Sequence, residues 1–119
     1  MQYLLMIYEN ENVMNDMAPE ARGAMFAEYN TFTQDIVKSG HFKAGDALQP
    51  VATATSVRVK DGKTITTDGP FAETKEQLGG YYLVEAADLD EAIGIAARIP
   101  AARTGTIEVR PVMVFDGSM

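Results

Sequence analysis

The 119-residue chain contains no cysteine, which removes disulfides, thiol nucleophiles, thiolate zinc sites and iron–sulfur clusters together. Bases are scarce as well: 10 Lys and Arg stand against 17 Asp and Glu, a formal net charge of -7. That balance opposes approach to nucleic-acid phosphates or to an anionic membrane. No cluster of Lys and Arg offsets it, so direct nucleic-acid binding is not expected, although a basic protein partner fits. Long apolar runs are missing. The run near the start, Tyr3 to Tyr8, is too short for a bilayer and has no bases before it, so it reads as neither anchor nor signal peptide and the expected compartment is the cytoplasm. A Ser-His-Asp set, a P-loop, a dinucleotide glycine fingerprint and a metal motif are all missing, so no cofactor and no metal are expected.

What remains is the composition of a folded protein, 46% hydrophobic and 23% charged, at a length suited to one core; residues 1–119 read as a single domain. Tyr3-Leu4-Leu5-Met6-Ile7-Tyr8 is apolar at both parities, the pattern of a central strand with both faces covered. After a polar loop, Pro19-Glu20 opens a helix that runs to Ser39-Gly40, with Met25, Tyr29, Phe32 and Ile36 on one stripe. His41 to Leu48 fits a second strand. Thr53 to Lys60 and Lys63 to Thr67 flank Asp61-Gly62, which favours a type I′ hairpin. Tyr81 to Ala86 is another strand with mixed faces. Asp88 then caps a helix with Glu91 three residues on, and Leu89, Ala92, Ile93 and Ala96 form its expected buried stripe before Pro100 marks its end. Thr106 to Phe115 is the last strand.

The order β, α, β, hairpin, β, α, β describes an α+β fold: a ferredoxin-like βαββαβ core with an inserted β-hairpin, an antiparallel sheet and both helices on one face. The first strand and the Tyr81 to Ala86 strand are apolar on the other face too, and no helix remains to cover it. A homodimer joined sheet to sheet is therefore expected.

The densest chemistry lies in TDGPFAETKEQLGG, Thr67 to Gly80. Much of it is turn chemistry: Asp68-Gly69-Pro70 is a turn, Phe71 can plug the core edge, Thr74 and Gln77 form a capping-box pair, and Gly79-Gly80 can stop a short helical turn. The charges are not demanded by a turn. Asp68 or Glu73 is a candidate base, and Lys75 a candidate holder of an anionic substrate or enolate. Tyr29 faces the sheet, either as a core tyrosine or as a phenol aimed into a pocket. Tyr81 and Tyr82 must point to opposite faces, with packing the simpler role for both and Tyr81 a candidate ligand contact beside Phe71. His41 reads as a strand-start residue or, with Asp46, as an acid/base pair. Arg58 and Arg110 belong to a solvated face or to a carboxylate clamp.

The run DGPFAETKEQLGG with GYYLVEA after it, the opening MQYLLMIYEN, the segment LQPVATATSVRVKDGK and the ending IEVRPVM together resemble the DGPF proteins of the YCII-related superfamily. The resemblance implies a dimeric ferredoxin-like α+β barrel. It also implies work on small organic molecules, since the superfamily includes a member that dehalogenates a chlorinated muconate-type compound. Relatives of this type lie beside genes for extracytoplasmic-function sigma factors, which implies as an alternative a non-enzymatic accessory protein with a sigma-factor-related partner. Shorter relatives pair a histidine on the first helix with an aspartate before a proline; alignment on Gly40 and Pro100 puts Tyr29 and Ile99 there, so that dyad is missing. The leading expectation is a homodimer binding a small polar or anionic molecule beside the DGPFAETKE loop. Its chemistry would be cofactor-free isomerase or lyase-like proton transfer, with Asp68 or Glu73 as base and Tyr29 or Lys75 as electrophilic partner.

Overall fold

Alternation along the first strand, β1 (Gln2–Glu9), sets the architecture: Tyr3, Leu5 and Ile7 are buried, while Leu4, Met6 and Tyr8 are half-exposed on the opposite face. The computed structural model describes residues 1–115. A short helix α1 (Glu11–Asn15) follows, then α2 (Pro19–Lys38), β2 (Phe42–Ala47), β3 (Thr55–Lys60), β4 (Lys63–Asp68), β5 (Gln77–Glu85), α3 (Leu89–Ala97) and β6 (Thr106–Pro111). Single 3-10 turns lie at Val51–Thr53 and Pro100–Arg103. Four strands form one sheet in the order β2-β5-β1-β6, with every pairing antiparallel. Set aside β3 and β4, and this is the ferredoxin-like βαββαβ core. The two strands that are apolar at both parities, β1 and β5, are the two central ones.

Register assigns the faces. Leu5 lies opposite Tyr82 and Val109, and Tyr3 opposite Val84; these meet Phe32 and Ile36 of α2 and Ala92, Ile95, Ala96 and Ile99 in and just after α3. Leu5, Ile36, Val84 and Ile99 are its most enclosed large side chains. The helices thus cover one face only. On the other, Leu4, Met6, Tyr8, Leu78, Tyr81 and Leu83 stay half-exposed.

The hairpin forms as its sequence indicates. Asp61 and Gly62 take φ values of 51° and 76°, the left-handed pair that a type I′ turn requires. Its strands make a separate two-stranded sheet, closed at the base by Gly69 N–H to Ala54 O at 2.7 Å and by the Ser56 hydroxyl to Gly69 O at 2.8 Å. Gly69 itself sits at φ 96°.

Several local expectations are corrected. The polar loop after β1 contains α1, capped by Asn10, whose side chain accepts from Asn12 N–H at 2.9 Å. Thr74 and Gln77 cap no helix: the Thr74 hydroxyl turns to Glu76 O at 2.5 Å and Gln77 opens β5. Gly79 and Gly80 are in that strand, where a side chain at Gly80 would come within 2.9 Å of Asp46 O; the glycine lets β2 pair closely. Leu89 and Ile93 are half-exposed, while Ile95 faces inward between Ala92 and Ala96. The helix is apolar nearly all round, so periodicity left its phase open, and the two alanines are small enough to admit the sheet. Phe71 does not plug the core edge and is 86% exposed. The last strand ends at Pro111 and not at Phe115, with one further backbone bond from Val112 N–H to Gln2 O at 2.9 Å; Pro111 sits opposite Tyr3 where its missing N–H would face away from β1. Among the described residues no helix is long and apolar enough to cross a membrane.

Candidate functional site

Where the C-terminal end of β1 meets α1, the middle of α2 and the edge strand β2, the chain leaves a half-open cavity of about 570 Å³, within the usual range for small-molecule sites. Ile7, Met14, Phe26, Phe42, Leu48 and Pro50 give it apolar and aromatic walls. Its polar groups include Glu9, Glu11, Tyr29, Thr33, Asp46, Gln77, Tyr81 and Tyr82. Three of these are carboxylates, and no Lys or Arg lines the space. A second depression of about 520 Å³ between α2 and the segment after α3 is shallower, and its Asp35 and Glu28 already face Arg98 at 3.8 Å and Arg103 at 2.5 Å.

The polar groups in the first cavity come from several parts of the fold. Glu9 ends β1 and accepts from the Thr104 hydroxyl. Tyr29, one helical turn before Phe32, presents its phenol between Glu9 and the Pro100–Arg103 turn. Burial, with the negative charge of Glu9 adding to it, pushes its pKa up to about 12, while the Ala101 backbone N–H pulls the other way. It is therefore a proton donor at any physiological pH. Tyr82 closes the floor: its hydroxyl is 2.7 Å from that of Thr33, and its ring packs edge-on to Phe32 at 5.2 Å and to Phe42 at 6.3 Å. Tyr81, on the opposite face, donates to Asp46 at 2.6 Å, a hydrogen bond that raises its own pKa.

The Thr67 to Gly80 run reaches this cavity only through its far end. Gln77 accepts from Glu11 N–H at 3.0 Å and donates to Thr74 O at 2.6 Å, and Glu11 in turn accepts from Val51 N–H at 2.9 Å. The loop, α1 and the segment after β2 are thereby tied together around the cavity mouth. Asp68, Glu73, Lys75 and Phe71 are exposed and lie outside its lining. Arg58 is exposed on β3. His41 turns away, with Nε2 3.2 Å from Glu91 and Nδ1 2.6 Å from the Ser39 hydroxyl, so its partner is the start of α3 and not Asp46. Ile99, at the position of the missing aspartate, is buried in the core.

Of the residues singled out in the sequence, then, Tyr29, Asp46, Tyr81 and Tyr82 line the cavity. Glu9, Glu11 and Thr33 were passed over, and Gln77 was read only as a capping-box partner. Glu9 had one legible signal, an acid ending an apolar strand; the others became visible only when three separate segments met.

The YCII-related domain profile matches residues 1–116. The chain belongs to the YCII-related family. A YCII-related relative in Rhizobium meliloti (strain 1021), the uncharacterized protein R00369, is 36% identical over 117 residues, spanning 97% of this chain and 94% of its own. Among solved structures, 5-chloro-2-hydroxyhydroquinone dehydrochlorinase (TftG) from Burkholderia phenoliruptrix AC1100, in complex with 2,5-dihydroxybenzoquinone, is similar with a TM-score of 0.54 over 95% of this chain and 94% of that one. Its sequence identity is 12%, so the likeness concerns the fold of this YCII-related chain.

Proposed function

We propose that this protein binds a small, neutral, ring-shaped organic molecule in the cavity bounded by α1, α2 and β2, and moves a proton on it without a cofactor. The observation that carries this reading is the aromatic-walled cavity of about 570 Å³ with Glu9 and Tyr29 at one end. Glu9, oriented by Thr104, is the base that takes a proton from the bound ring. Tyr29, kept protonated, donates a hydrogen bond to the oxygen on which negative charge develops. Loss of a leaving group from the resulting anion would complete a lyase-like elimination, and reprotonation an isomerisation. The structural neighbour's activity, dehydrochlorination of a hydroxylated ring, is chemistry of the same kind.

The charge of the lining narrows the ligand class. With three carboxylates and no base around the cavity, an anionic ligand would meet like charge in a desolvated space, so neutral ligands are favoured over the anionic ones that the sequence suggested. The working form is a homodimer joined through the open sheet face, whose six half-exposed apolar side chains need cover.

Thermal-shift titration with a hydroquinone and its carboxylated counterpart tests the ligand class: the neutral compound should stabilise the protein and the carboxylate should not. Turnover is tested by solvent-deuterium exchange into bound rings. Glu9→Gln should slow exchange by about 100-fold or more while binding persists. Wild-type exchange in both Glu9→Gln and Tyr29→Phe would remove the assignment.

A further inference from the structure

Two hydroxyl groups of the cavity have no part in the pairing of Glu9 with Tyr29. Tyr82 lies opposite Leu5 of β1 and Gly45 of β2 in register, on the helix-covered face, and Thr33 reaches it from α2. Their oxygens are 2.7 Å apart, and both residues line the cavity. The Tyr82 ring has little freedom. Phe32 and Phe42 pack edge-on to it, and a Cβ added at Gly45 would come within 2.8 Å of its Cδ1, so the glycine admits the ring where it stands. The hydroxyl at its tip is therefore a preorganised polar group.

Hydrogen-bond arithmetic leaves one donor over. Each hydroxyl carries one O–H and two lone pairs, and the bond between the two uses a single proton. Among the described residues neither oxygen has a second partner, so one O–H is available to an oxygen of a bound molecule.

Spacing then decides which molecule can use it. Thr33 follows Tyr29 by four residues on α2, about 6 Å along the helix axis. Long helical side chains lean toward the N-terminus, so the Tyr29 phenol swings away from Thr33, toward Glu9 and the Pro100–Arg103 turn, the groups that act on its pKa. The two hydroxyl poles thus stand more than one helical turn apart. Oxygens on adjacent ring carbons are too close together to meet both poles. Oxygens at opposite ends of a six-membered ring, each with a hydrogen bond beyond it, span that distance.

We propose that the Thr33–Tyr82 hydroxyl pair is the second anchor of the cavity and selects rings with oxygens para to one another, one bound at Tyr29 and the other at the pair. This rests on the ring-binding reading given above and names its substrate class. A ring without the second oxygen leaves the spare O–H unpartnered in a space that the ligand has desolvated.

Dissociation constants of hydroquinone, catechol and phenol, measured by calorimetry without oxygen, test the assignment. Hydroquinone should bind the wild-type protein about fivefold or more tighter than either of the others, the worth of one neutral hydrogen bond. Thr33→Val with Tyr82→Phe replaces both partners by apolar groups of nearly the same shape, which orphans neither hydroxyl and preserves the fold. In that double variant hydroquinone and phenol should bind equally. Wild-type protein that binds catechol or phenol as tightly as hydroquinone overturns the anchor and leaves the ring-binding cavity standing, and so does a hydroquinone preference that survives in the double variant. Failure of all three rings to bind the wild type overturns both readings.

Discussion

Tyr29 carries the clearest pH signature of any side chain in the cavity. Its ordinary pKa of 10.0 rises to about 12 in the folded chain, so between those values the unfolded chain has lost the phenolic proton while the folded one retains it. Folding stability should therefore be independent of this group below pH 10 and fall from pH 10 to about 12. Tyr29→Phe should flatten that limb of a denaturation series, and an identical limb would place the phenol in water. At Gly69 the constraint is steric. Its φ of 96° disfavours any Cβ, so Gly69→Ala should cost about 1–2 kcal/mol in urea unfolding. The neighbouring charges carry no such constraint: Asp68→Asn, Glu73→Gln and Lys75→Gln together should shift stability by less than about 0.5 kcal/mol and leave ligand binding unchanged. The turn residues of that run were legible from the sequence because backbone conformation is a local property. That its charges lie outside the cavity was not, because distance from a cavity is set by segments far along the chain.

The start of α3 followed from its cap and the β3–β4 hairpin from its turn, whereas the phase of α3, defined only by apolar content, did not follow from its sequence. Asp88 accepts from Glu91 N–H at 2.9 Å, and Glu91 reaches back to Ala87 N–H at 2.9 Å, two local bonds that fix the start of α3 whatever it packs against. Asp88→Ala should lower stability by about 1 kcal/mol, read as a shift in urea midpoint. The phase of α3 was misread because Leu89, Ile93 and Ile95 all compete for the sheet and only docking chooses among them. His41 joins the same corner. It bridges Ser39 after α2 and Glu91 in α3, elements fifty residues apart, so its role follows from how the helices sit side by side. α1 escaped notice since a five-residue helix with no buried side chain has no stripe to show; it is held by Gln77 and Val51, neither adjacent in sequence.

At the scale of the molecule, a sheet with helices on one face and half-exposed Leu4, Met6, Tyr8, Leu78, Tyr81 and Leu83 on the other is half of a sandwich. The melting temperature should rise with protein concentration if a second copy supplies the rest, and a concentration-independent melt would count against the homodimer. Leu5→Ala, at the centre of the helix-covered face, should instead cost about 2–5 kcal/mol at any concentration. The ferredoxin-like order of strands was determined by the sequence itself: two strands apolar at both parities must be central, and the βαββαβ order puts both helices on one face. The type I′ hairpin and the absence of thiol chemistry were equally plain, since each depends on residues adjacent in the chain or missing from it. Tertiary structure alone decided where the cavity lies. Glu9, Tyr29, Asp46 and Gln77 come from β1, α2, β2 and β5, and only the pairing of those strands under one helix brings them around a common space. Local preferences act over a few residues, whereas a cavity is the volume left over when the whole chain has packed.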